Sequence, residues 1–289
     1  MTEQATTRFR LDLAYQGTDF NGWARQPGQR TVQGELESAL ATIFRRFGSP
    51  PVLTVAGRTD AGVHAVGQVA HLDLDEAQVA VLRKPHGKRP PLAAHEALAR
   101  RVNGILGPAP DVVVMDASEA PAGFDARFSA LWRRYEYRVA DRQSRRDPLQ
   151  RHRTAWVSSD LDVDGMDQGA HGMLGLHDFA SYCKAREGAT TIRTLQAYSW
   201  RRDADGVLIA EVVADAFCHS MVRALVGACV EVGEGTLAPG DLVVLRDERR
   251  RTSAYKTMPA RGLTLMEVGY PEGAELALRA ERIRALREL

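Results

Sequence analysis

Lysine is nearly absent from this chain, occurring only at Lys84, Lys88, Lys184 and Lys256. Arginine therefore supplies most of the positive charge, and its planar guanidinium suits phosphate and can stack on bases. A codon bias would give the same composition, so the placement of the arginines matters more than their number. The formal net charge is only +1, which by itself does not announce a nucleic-acid binder. Cysteine is scarce too. Cys183, Cys218 and Cys229 are odd in number and form no C-x-x-C pair, which argues against a disulfide framework and a thiolate zinc site. The expectation is three reduced, buried, small apolar side chains in a reducing compartment. No cluster of His, Cys and Asp with ligand spacing stands out, so no metal is expected. No run approaches the roughly 20 apolar residues that span a bilayer. Residues 1–7 are polar, unlike the apolar centre of a secretory signal, and a cytoplasmic protein is the default expectation.

What is present describes an ordinary globular chain. Its 289 residues, 44% hydrophobic and 26% charged, fit one large domain or two of average size. Phe9, Leu11, Leu13 and Tyr15 alternate with polar neighbours and predict a half-buried strand. A Gly-rich turn region over 17–28 precedes an amphipathic helix from Thr31, whose apolar positions include Val32, Leu36, Leu40 and Ile43. Pro50 and Pro51 end that element. Strands at 52–55 and 66–74, a helix at 95–106 and a strand at 112–115 follow. This order, β-α-β-β-α-β, recurs as a strand at 131–140, a helix at 161–174, strands at 194–201 and 207–213, a helix at 219–232 and a strand at 263–268. A charged helix over 275–289 ends the chain. The basic, Pro-rich segment 83–91 reads as an exposed loop insertion.

The expected fold class is therefore α+β. Two ferredoxin-like, RRM-like halves would form an extended, mostly antiparallel sheet with helices on one side and a central catalytic cleft. The halves are placed at residues 1–118 and 119–289. Many RNA-binding modules use the open face of such a sheet to stack unpaired bases.

The most informative stretch is Gly57-Arg58-Thr59-Asp60-Ala61-Gly62-Val63-His64, in the connection between two predicted strands. Asp60 precedes Ala-Gly, which suits a tight turn, and Arg58 two residues earlier points the same way on extended backbone. Such a carboxylate serves as nucleophile, general base or metal ligand, or simply closes a surface turn with an ion pair. Tyr135, Tyr137 and Val139 face one side of their strand, and Arg134, Glu136 and Arg138 the other. Arg223 lies beside the apolar stripe of a helix. A core aromatic and a solvated helix edge are the plain readings of Tyr135 and Arg223.

The string AGRTDAGVHAVGQVAH closely resembles the catalytic motif of the tRNA pseudouridine synthase A family. Further marks recur in the family's order along nearly the whole chain. They are Tyr15-x-Gly17-x-x-Phe20-x-Gly22-Trp23-x-x-Gln26, Thr31-Val32-Gln33, and Phe124-Asp125-Ala126-Arg127-Phe128-Ser129-Ala130. Then come Arg133-Arg134-Tyr135-x-Tyr137, His177-Asp178-Phe179, Ala216-Phe217-Cys218-His219-Ser220-Met221-Val222-Arg223, and Pro259-Ala260-x-Gly262-Leu263 with Tyr270-Pro271. Two departures are the 83–91 insertion and Met258, which stands where the family commonly has a smaller residue.

The resemblance implies that Asp60 attacks the target nucleoside and that Tyr135 packs against its uracil. It implies that Arg223 pairs with the catalytic carboxylate, favouring its ionised form, and that Arg58 helps hold the flipped nucleotide. The implied reaction turns uridine into pseudouridine at positions 38, 39 and 40 of the tRNA anticodon stem-loop. It breaks N1–C1′ and rejoins the base through C5, without redox change or hydrolysis and hence without a cofactor. A homodimer is implied as well, with tRNA as the partner. Extruding the base costs a few kcal/mol. Phosphate contacts offset that cost, with Arg127, Arg133, Arg134, Arg145, Arg146, Arg151, Arg153 and the run 249–251 as candidates. A silent RNA-binding module and a glycoside or nucleoside hydrolase are the competing classes. The intact Asp60, Tyr135 and Arg223 weigh against the first, and the missing second carboxylate against the other.

Overall fold

A computed structural model describes residues 6–84, 90–184 and 190–288. Contacts divide the chain into two compact units, one of residues 1–61, 65–131 and 268–289, the other of 62–64 and 132–267. Each has its own α+β fold.

The first unit contains β1 (Thr6–Tyr15), α1 (Val32–Ile43), β2 (Thr54–Val55), β3 (His64–Asp75), α2 (Glu76–Arg83), α3 (Ala94–Leu106) and β4 (Val112–Glu119). The alternation read in β1 is real: Phe9, Leu11, Leu13 and Tyr15 are all buried, and their neighbours are half-exposed. Thr31 starts α1 by accepting the Gly34 amide on its hydroxyl at 3.2 Å. The strand order is β4-β1-β3-β2, every pair antiparallel, and α1 packs on α3. α3 is locked to β4 by Asn103, whose side chain donates to and accepts from the backbone of Val114 at 2.8 and 2.9 Å.

The second unit contains β5 (Trp132–Ala140), β6 (Ala155–Trp156), α4 (Val163–His171), β7 (Gly175–Asp178), β8 (Ile192–Arg202), β9 (Leu208–Ala214), α5 (Met221–Gly233), α6 (Asp241–Asp247) and β10 (Leu263–Gly269). Its strands run β10-β5-β9-β8-β7. With β5, β8, β9 and β10 taken as first to fourth, the first four places repeat the fourth-first-third-second order of the other unit. The duplicated β-α-β-β-α-β architecture is thus present in the sheet topology. β7 extends the outer edge, and β6 adds a short parallel pairing to β5.

Several elements differ from the sequence reading. α2 was not expected: Asp75 and Gln78 form a reciprocal capping box, and Val79 and Leu82 are buried, but eight residues give too little periodicity to detect. β7 and α6 are similarly short. Of the predicted insertion loop, residues 85–89 lie outside the described residues. The division between units falls after Leu131, where residue 118 was expected, and the final helix α7 (Glu275–Glu288) belongs to the first unit. Hydrogen bonds explain this. Ser129 Oγ donates to Leu276 O at 3.0 Å, Arg279 Nε to Ala130 O at 2.9 Å, and Tyr270 Oη to Ala126 O at 2.7 Å.

The cysteine expectation needs correction. Cys183 and Cys218 form a disulfide with Cα atoms 5.7 Å apart, and only Cys229 is a free, buried thiol. A separation of 35 residues hid the pairing.

Candidate active site

The Asp60 loop leaves the sheet just after Val55, where the Ala56 amide makes a last bond to Val69 O at 2.8 Å. Beyond it, buried side chains replace the ladder. Gln68, on β3 and fully buried, donates its amide to Gly57 O at 2.9 Å and to the Tyr15 hydroxyl at 3.1 Å. That hydroxyl meets Thr59 Oγ1 at 2.8 Å, and the Trp23 amide donates to Thr59 O at 3.0 Å. Burial pushes the Tyr15 phenol up to about 12, so it stays a neutral hydrogen-bonding group. Gly22 adopts φ +84°, and a Cβ there would lie 2.9 Å from Thr59 O. The Tyr15, Gly22 and Trp23 marks are therefore scaffolding: they hold the backbone on which Asp60, half-buried, and Arg58, exposed, are displayed.

The Phe124–Ala130 string is also structural. Asp125 Oδ1 accepts the amides of Arg127 and Phe128, each at 2.8 Å, and Ala126 N donates to His71 Nδ1 at 3.0 Å. Nδ1 of His71 is thus unprotonated.

In the second unit, Tyr135 is buried on β5 opposite Val212, and its ring meets Phe217 edge-on with centroids 5.1 Å apart. Tyr137 and Val139 share that buried face, while Arg134, Glu136 and Arg138 are half-exposed. Arg134 pairs with Glu267 at 3.0 Å and Arg138 with Asp203 at 3.1 Å. Several arginines read as phosphate contacts are already engaged: Arg133 donates to Asp215 O at 2.7 Å, and Arg145 lies 3.6 Å from Asp205.

Arg223 is the third residue of α5, which starts after Ser220 turns the chain at φ 63°. Its Nε donates to Met258 O at 2.6 Å, and the Met258 amide donates back to Arg223 O at 3.1 Å. One turn on, Gly227 lets that segment pass: a Cβ there would sit only 1.9 Å from Lys256 O. Tyr137 Oη donates to Pro259 O at 2.7 Å, and its ring occupies the space a Cβ on Gly262 would need. Burial holds the Tyr137 phenol protonated, against the opposing charges of Arg223 and Arg261.

Sequence reading missed Gln68, His71, Phe217 and Tyr137 as supports. Gln68 and His71 both stand in the AGRTDAGVHAVGQVAH string, but nothing in the string tells a supporting side chain from a reacting one. Among the described residues, no group of three or more His, Cys, Asp or Glu side chains could hold a metal ion.

A family model described as tRNA pseudouridine synthase matches residues 170–271. The chain is 80% identical over 289 residues to tRNA pseudouridine synthase A of Leifsonia xyli subsp. xyli, covering 100% of both. It is 53% identical over 294 residues to that of Streptomyces griseus subsp. griseus, covering 100% of this chain and 98% of the relative. With the Mycobacterium leprae protein of the same name, identity is 48% over 284 residues, with 97% and 95% covered. The class is that of the pseudouridine synthases, which are isomerases. The chain belongs to the tRNA pseudouridine synthase A family.

Proposed function

We propose that this enzyme isomerises uridine to pseudouridine at positions 38, 39 and 40 of the tRNA anticodon stem-loop, with Asp60 as nucleophile. The observation that carries this reading is the build of the Asp60 loop. Tyr15, Gly22, Trp23, Thr59 and Gln68 fix its backbone through buried contacts, as a nucleophile needs and a surface turn does not. Tyr135 packs against the target uracil, Arg223 is the partner of the catalytic carboxylate, and Arg58 holds the extruded nucleotide. Because the three targets are neighbours, recognition rests on tRNA shape and phosphates and not on base sequence. The enzyme acts as a cytoplasmic homodimer without metal or cofactor.

The test is tritium release from C5-labelled tRNA. Asp60→Asn should abolish release while tRNA affinity falls little. Arg223→Ala should lower turnover severely, and adding Asp60→Asn to it should cost almost nothing further, since residues acting as one unit are not additive. Wild-type turnover by Asp60→Asn, or additive losses in the double variant, would sink this reading.

A further inference from the structure

Among the described residues one covalent cross-link is present, and it joins two segments of the second unit. Cys183 is buried and follows the turn Ala180–Tyr182, which is anchored on both sides. Tyr182 stacks on Tyr255 at 5.3 Å and donates its hydroxyl to Leu242 O at 2.8 Å, while Tyr255 donates to Ser181 O at 2.6 Å. Cys218 is half-buried in the turn leading into α5. Its neighbour Phe217 is the edge-on partner of Tyr135, and α5, with Arg223 in its first turn, begins three residues later. The Cα separation of 5.7 Å lies within the range of an ordinary disulfide. Disulfides in cytosolic proteins are usually transient, either catalytic or redox-sensing, because the compartment's thiols reduce persistent ones.

We infer that Cys183 and Cys218 form a reversible redox modification site, exchanging with a small-molecule disulfide, whose oxidised state fixes the turn carrying Phe217 and leading to Arg223. The Cys218 thiolate, the less buried of the two, attacks a sulfur of the small disulfide and releases one thiolate. The Cys183 thiolate then attacks the Cys218 sulfur and releases the second. Two protein thiols become one disulfide, giving up two electrons and two protons, and the small disulfide leaves as two thiols. Cys229 takes no part: it is fully buried and receives a hydrogen bond from Tyr198 at 3.0 Å. On reduction the turn keeps the Lys184–His219 backbone hydrogen bond but loses its covalent tether.

The consequence for catalysis rests on the roles proposed above for Tyr135 and Arg223, whereas the redox site itself rests only on the cytoplasmic location proposed there. The full-length enzyme is equilibrated in glutathione buffers from fully reduced to fully oxidised. Cysteine alkylation is read by mass spectrometry, amide exchange over residues 217–223 is followed, and kcat/KM for tRNA is measured. Cys183 and Cys218 should lose alkylation together while Cys229 is unchanged, amide exchange should slow, and kcat/KM should rise several-fold on oxidation. Cys183→Ser and Cys218→Ser should each remain at the reduced wild-type level and show no response. If both cysteines stay open to alkylation at the oxidising end, or if kcat/KM is the same in both states, the inference is overturned. Should no pseudouridine form in either state, the proposed function fails, while alkylation and amide exchange still decide the redox site.

Discussion

Gln68 shows how much a single side chain can hold at this site. Its amide bonds Gly57 O on one side of the Asp60 loop and the Tyr15 hydroxyl on the other, with no exposure to water. Gln68→Leu would leave the part-buried Gly57 carbonyl without this donor, a loss of about 1–3 kcal/mol, and would leave the Tyr15 hydroxyl with Thr59 Oγ1 as its partner. We expect a lower unfolding midpoint and a reduced kcat with tRNA affinity retained, checked by urea denaturation and steady-state kinetics. His64 gives a pH-dependent counterpart. Burial depresses its pKa below 6.5, against hydrogen bonds to the backbone of His152 and Arg261, which oppose the shift. The unfolded imidazole keeps its ordinary pKa, so at acid pH the unfolded chain takes up this proton first. The stability His64 contributes is full above about 6.5 and is lost as pH falls through the depressed value. Urea midpoints measured from about pH 7.5 down to about pH 5 should fall more steeply for the wild type than for His64→Gln.

At the scale of elements, glycine separates close packing from open helix. Gly227 faces Lys256 O so closely that any Cβ must displace the 256–258 segment, and with it the Met258 carbonyl that holds Arg223. Gly104, on the exposed side of α3, has nothing within 4 Å of an added Cβ. Gly104→Ala should therefore stabilise the protein by about 0.4–1 kcal/mol through the unfolded state. Gly227→Ala should destabilise it and depress turnover. Thermal melts of the two variants, measured together, check the contrast, and equal melting temperatures would remove the close approach at Gly227. The same scale shows where sequence reading worked. The long periodic elements β1, α1, α3, β8 and β9 were legible because each buries one face, and α5, buried on nearly every side, because it is one long apolar run. α2, α6 and β7 were not, because eight, seven and four residues complete only about two turns or two alternations.

For the whole molecule, the arginine surplus is the feature to test against tRNA. Arg134, Arg138 and Arg145 have carboxylate partners, so fewer arginines stand ready for phosphate than composition suggests. The affinity for tRNA should still fall with salt, with a log–log slope of about −0.9 per neutralised phosphate if the stem behaves like B-DNA. Filter binding across a salt series measures it. A slope near zero would show that docking does not rest on cation–phosphate contacts.

Sequence alone determined the alternation and helical periods that build two β-α-β-β-α-β units, and the chain order of the Asp60, Tyr135 and Arg223 motifs. Those signals are local, set by which face of a strand or helix must leave water. Tertiary structure decided what adjacent residues in a motif do. It made Gly22, Trp23 and Gln68 supports of the Asp60 loop, gave Tyr135 its partner Phe217, and tied Arg223 to Met258. It also drew the final helix back onto the first unit and joined Cys183 to Cys218. Each of these links residues apart in the chain through close packing, hydrogen bonding or a covalent bond, and none of those leaves a period in the sequence.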